Sequence, residues 1–109
     1  MTPYFRQIGG ARIGKSYWNA FNVTFPFAAL RVEEERIVLG VLGTKRYFSH
    51  QAITRLSRWR GVLSVGLRME HTVTNYDPFI VFWTFNYRSL SEVLRQWDYP
   101  VFDTNKNTD

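Results

Sequence analysis

Segments of this chain alternate apolar and polar residues one for one, and from Ser89 onward the period becomes helical. Successive side chains on a strand point to opposite faces, so alternation of this kind specifies a sheet with one buried side. The clearest example sets Leu63, Val65, Leu67 and Met69 against Ser64, Gly66, Arg68 and Glu70. Tyr17 to Phe25 also alternates, which places Phe21, Val23 and Phe25 toward a core. Pro26 has no N–H for a ladder and predicts a bend, with Phe27 to Glu33 as a second strand. Arg36 to Leu42 and Lys45 to Phe48 read as the next two. Gln51 to Arg58 fits both periods and is taken as a strand. Phe79 to Phe85 is apolar at nearly every position, so it is buried on both faces or carries an exposed aromatic side. Glu33-Glu34-Glu35, Gly43-Thr44, Gly61 and Asn75 to Pro78 punctuate the run as turns, the glutamates being expected in solvent.

The last element is helical. Leu90, Val93, Leu94 and Trp97 share one face, Ser89 and Glu92 have the spacing of a capping box, and Tyr99-Pro100 ends the run. The expected fold is mainly β with one C-terminal helix, about seven antiparallel strands in a bent sheet or partial barrel closed by an amphipathic helix.

At 109 residues the chain has length for one core, and 45% hydrophobic with 17% aromatic residues excludes global disorder. Gly9, Gly10 and Gly14 make 1–14 either a flexible N-terminal arm or a pairing strand, the arm being the preferred reading, before a folded domain over 15–102 and a disordered polar tail over 103–109. No run of 18 uncharged apolar residues is present. The first residues lack the apolar centre of a secretory signal, and the expected location is cytoplasmic.

Charge is unevenly placed. Arg36 to Arg68 holds seven cations (Arg36, Lys45, Arg46, Arg55, Arg58, Arg60 and Arg68) and no Asp or Glu, within a chain of net charge +5. Lys45, Arg46, Arg55, Arg58 and Arg60, with the indole of Trp59, are the candidates for an anionic surface. Outward-pointing cations on a soluble sheet explain the same residues without a partner.

Little else carries chemistry. The chain has no cysteine and two histidines, so no cofactor and no metal are expected. Glu70 and His71 are neighbours on a strand and point apart, as are Ser49 and His50, so neither pair suits general-base work. Gly9, Gly10 and Gly14 before Lys15-Ser16 lack the spacing of a phosphate loop. No catalytic residue is expected.

The strand order with its closing helix resembles the pleckstrin-homology (PH) superfold, in the form of small bacterial PH-like or GRAM-like domains. The resemblance rests on Pro26 to Val32, the Ile53 and Leu56 step, Gly66 to His71, Pro78 to Trp83, and the segment from Ser89 to Trp97. It implies a non-catalytic interaction module for a protein, a peptide or an anionic lipid surface, with the helix plugging one barrel mouth. Phosphoinositide-binding PH domains carry a long basic loop between their first strands. Phe25-Pro26-Phe27 stands at that place here and has no basic residue. Nucleic-acid binding through the same basic stripe is the alternative, and surplus aromatics with open sheet edges suggest a homo-oligomer.

Overall fold

The computed structural model describes residues 3–61 and 64–103. Seven strands make one antiparallel sheet: β1 (Tyr4–Gly14), β2 (Ala20–Glu33), β3 (Arg36–Val41), β4 (Thr44–Ser49), β5 (Ile53–Arg60), β6 (Val65–His71) and β7 (Phe79–Thr84). Their order is β4-β3-β2-β1-β7-β6-β5, curled into a half-barrel. One helix follows, α1 (Tyr87–Gln96). The face assigned to Leu63 and the tail over 104–109 lie outside the described residues.

The number of strands and the positions of β3 to β7 agree with the sequence reading, but the first two strands differ. Residues 4–14, expected as a flexible arm, form the central strand and pair with both β2 and β7. Its glycines serve close approach rather than flexibility. A Cβ at Gly9 would lie 2.0 Å from the carbonyl oxygen of Trp83, and one at Gly10 would lie 2.5 Å from that of Val23. Ala11 and Ile13 are fully buried, while Arg6 and Ile8 are exposed on the other face.

The two segments separated by Pro26 are a single strand. Gly9 pairs with Ala28 and Ala11 with Val23, so four residues of β2 stand opposite Gly10 alone. This bulge takes up Thr24 to Phe27 and includes a cis Phe25–Pro26 bond. It also moves the core positions from odd to even numbers. Val23 is buried on one side of it, and Ala28, Leu30 and Val32 on the other. Phe21 and Phe25, expected in the core, are 47% and 52% exposed. Phe21 pairs with buried Ile13 but lies beyond the end of β3, which covers only Ala28 to Val32.

Ile80 and Phe82 of β7 are fully buried with Leu67 and Met69 of β6. Phe79 and Val81, of the other parity, are buried too, with Arg68 and Trp59 packed on Phe79. Leu90 and Leu94 of α1 are completely buried in the same core, and Val93 and Trp97 pack against it. The helix begins three residues earlier than the capping-box spacing suggested. Its N-cap is Asn86, whose side chain accepts from the Ser89 N–H, so Ser89 lies inside the first turn.

The free edge of β5 is partly covered by the chain that leaves the helix. Leu56 donates its N–H to the Pro100 carbonyl at 2.8 Å and accepts from the Phe102 N–H at 2.7 Å. Asp103, assigned above to the tail, fastens this segment. Its carboxylate accepts from the Arg58 N–H at 2.9 Å, the Tyr87 hydroxyl at 2.8 Å and Arg95 at 3.1 Å. Burial, then this bond and the Asp103 charge, raise the pKa of Tyr87 well above its ordinary value, so the hydroxyl stays a donor. Asp103→Ala strands these donors and is expected to cost about 1–3 kcal/mol, with Asp103→Asn between the variant and the parent. Thermal melts followed by circular dichroism measure it, and an unchanged midpoint would contradict the anchoring.

Candidate interaction surface

The outer face of the sheet, the side away from the core, gathers cations that are remote in sequence. Register sets one row as Arg6, Arg31, Val38 and Tyr47 across β1 to β4. The next row is Ile8, Ala29, Gly40 and Lys45. Ala29 and Gly40 are too small to fill their places, and a trough of about 490 Å³ lies over them. Pro26, Phe27 and Leu42 contribute its apolar lining, and its charged residues are Arg6, Arg31 and Lys45, with no acid.

The β2 bulge borders this trough through Pro26 and Phe27. Phe25, Phe27, Leu42 and Phe85 are 52%, 56%, 66% and 78% exposed, although each is large and apolar. Phe25 and Phe85 meet edge to face at 5.1 Å and border a second depression of about 200 Å³ with Trp83. Exposed apolar residues are ordinary when scattered, whereas here Phe27 and Leu42 line one trough and Phe25 meets Phe85.

Arg31 is held in place from two sides. Its guanidinium lies 3.8 Å from the centre of the Tyr4 ring, and its Nε donates to Glu33 at 2.7 Å. Arg36 donates to the other oxygen of Glu33 at 3.1 Å. Glu33 is therefore a buried, paired carboxylate, and only Glu34 and Glu35 are the solvated turn residues that sequence suggested. Burial alone would raise the Glu33 pKa, but the hydrogen bonds and charges of Arg31 and Arg36 outweigh it and hold the group below its ordinary value. A depressed folded-state pKa contributes stability above the unfolded value, and that contribution is lost as pH falls through the folded one. Glu33→Gln should be less stable at neutral pH, and its stability should fall less steeply below about pH 4. Parallel acid-limb melts would expose an error here as two curves of equal slope.

The positions singled out from sequence separate. Lys45 and Arg46 lie on β4, while Arg55, Arg58, Trp59 and Arg60 lie on β5 at the opposite end of the strand order. Within each strand they also alternate between faces. Lys45 joins the trough, whereas Arg46 pairs across the ladder with buried Leu39. Arg55 lies 3.8 Å from Glu70 and packs over Phe102. Arg58 packs over Tyr87 beside the Asp103 anchor, with the parity of buried Leu56. Trp59 faces outward against Tyr17 and Phe79. Arg6 and Arg31 were missed because one stood in the presumed arm and the other outside the acid-free block. Strand register is the signal that unites them with Lys45, and it needs β1 to be recognised first.

Both histidines hydrogen-bond to the backbone. His71 Nδ1 accepts from the Val73 N–H at 3.0 Å, so Nε2 carries the proton given to the Asp77 carbonyl at 2.9 Å. His50 Nε2 donates to the Trp97 carbonyl at 2.9 Å, and the ring stacks on Tyr99 at 4.0 Å. Among the described residues no group of three His, Asp or Glu side chains is placed to hold a metal ion, and no helix is long and apolar enough to cross a membrane. No protein family matches the sequence, and no curated protein is significantly similar to it.

Proposed function

We propose that the chain is a non-catalytic interaction module of PH-like architecture that binds an anionic lipid surface through the outer face of β1 to β4. The observation that carries this reading is the juxtaposition of the Phe25-Pro26-Phe27 bulge and Leu42 with Arg6, Arg31 and Lys45 around a trough with no acid in its lining. Aromatic and aliphatic side chains favour the boundary between headgroups and acyl chains, and cations beside them gain about 1 kcal/mol each from an anionic leaflet. A second copy of the chain is a poorer occupant, because a two-fold contact would bring Arg6 and Lys45, which are not offset as Arg31 is by Glu33, toward their mates. The link Phe25-Pro26-Phe27, which lacks the basic loop of phosphoinositide binders, acts here as the apolar part of the contact.

Co-sedimentation with vesicles tests the reading. The protein should pellet with phosphatidylcholine vesicles that contain phosphatidylserine and remain in the supernatant with phosphatidylcholine alone. Binding should weaken as salt rises but not vanish, because the apolar contribution is not screened. Equal pelleting with both vesicles, or none with either, would end the proposal.

A further inference from the structure

A second cleft lies on the outer side of the other half of the sheet and is independent of the trough. It measures about 800 Å³, and its lining includes Arg12, Tyr17, Asn22, Trp59, Arg60 and Trp83. That volume is within the range of small-molecule sites, which is about 300–1,000 Å³. The lining has three aromatic rings, two guanidinium-bearing residues and no carboxylate.

The rings are held rather than loose. Tyr17 and Trp59 are 6.0 Å apart with an interplanar angle of 31°, and both contact buried Phe79. Arg68 lies with its guanidinium 4.7 Å from the Phe79 ring and 5.9 Å from that of Trp59. Trp83 lies against Gly61 and Gly66, where an added Cβ would come within 2.9 Å and 2.5 Å of its ring and of Val81 respectively. Arg12 donates through Nε to the Tyr17 carbonyl at 3.0 Å, which fixes the turn bearing that tyrosine. Arg60 is exposed at the end of β5, and no acid pairs with it among the described residues.

We infer that this cleft binds a base–phosphate unit, with the base against the Trp59 and Trp83 rings and the phosphate toward Arg12 and Arg60. Stacking on aromatic rings beside cations is the chemistry by which single-stranded nucleic acid and nucleotides are held without sequence preference. A purely apolar ligand would leave the two arginines unused, and a bare anion would leave the rings unused. The same unit occurs in a free nucleotide and in a strand, and the test separates the two.

The probes are adenosine monophosphate, a short oligothymidylate and inorganic phosphate, each titrated into the isotopically labelled full chain. Indole N–H resonances of Trp59 and Trp83 should shift with the nucleotide probes and stay still with phosphate. Trp97, beside His50 on another part of the surface, should not move. Tighter binding of the oligothymidylate assigns the cleft to a strand, and equal or tighter binding of the mononucleotide assigns it to a free nucleotide. Trp59→Leu should weaken the better probe about tenfold. Because Trp59 also packs on Phe79, the exposed Arg60→Ala variant is measured alongside, with a loss of about threefold expected and an unchanged melting curve. Absence of indole shifts with either nucleotide probe, equal shifts with phosphate, or shifts confined to Arg6 and Lys45 would overturn the inference.

Discussion

Gly9→Ala is expected to lower the thermal midpoint by about 15 °C or more, from the addition of one methyl group. The added carbon would sit 2.0 Å from the Trp83 carbonyl oxygen and 3.0 Å from the Phe82 ring. The first of these neighbours is backbone, and β1 is hydrogen-bonded between β2 and β7, so neither side can move without breaking a ladder. Overpacking costs about 1–3 kcal/mol where side chains can adjust, and more where backbone is the obstacle. Gly40→Ala is the matched control. It also lies within a strand, but the nearest atom to its Cβ is 3.9 Å away, so its stability should stay within about 0.5 kcal/mol of the parent. If residues 1–14 were a loose arm, both substitutions would be silent. Equal midpoints for the two variants would remove β1 from the centre of the sheet.

The second large effect concerns the outer face. The triple variant Arg6→Glu, Lys45→Glu, Phe27→Ser is expected to lose about a hundredfold or more in affinity for anionic vesicles. Each cation contributes about 1 kcal/mol near an anionic leaflet, and a reversed charge adds repulsion of similar size. Neither Arg6 nor Lys45 has an ion-pair partner among the described residues, so reversing them breaks no internal pair. Arg55→Glu with Arg60→Glu makes the same change in net charge on β5. It should weaken binding about fivefold or less, because exposed charges beyond a Debye length are screened. Equal losses in the two variants would mean that net charge, and not the outer face of β1 to β4, governs the contact.

These outcomes separate what was legible in the sequence from what was not. The alternation in β6 and the change of period at α1 express burial directly, and they led to a bent antiparallel sheet closed by one helix. The β1 strand was not legible because Gly9 and Gly10 carry no side-chain pattern. Their role is to let Trp83 and Val23 carbonyls approach, which depends on partners about 70 and 13 residues away. The β2 bulge hid a second feature. It takes up Thr24 to Phe27 and moves the core parity between Val23 and Ala28, so the alternation assigned Phe25 to the wrong environment, whereas Phe21 keeps the core parity but lies beyond the end of β3. The candidate surface was legible only in part for the same reason. Lys45 was found by counting charge along the chain, but Arg6 and Arg31 join it through lateral register, which linear spacing does not contain.

In the proposed mode of binding, the outer face around the β2 bulge meets an anionic bilayer. Paramagnetic broadening of backbone amide signals by vesicles that carry spin-labelled lipid tests it most directly. With phosphatidylserine present, amides of Phe25, Phe27, Leu42 and Phe85 should broaden first, and those of Arg55 to Arg60 should keep their intensity. Broadening centred on β5, or uniform along the chain, would contradict the account.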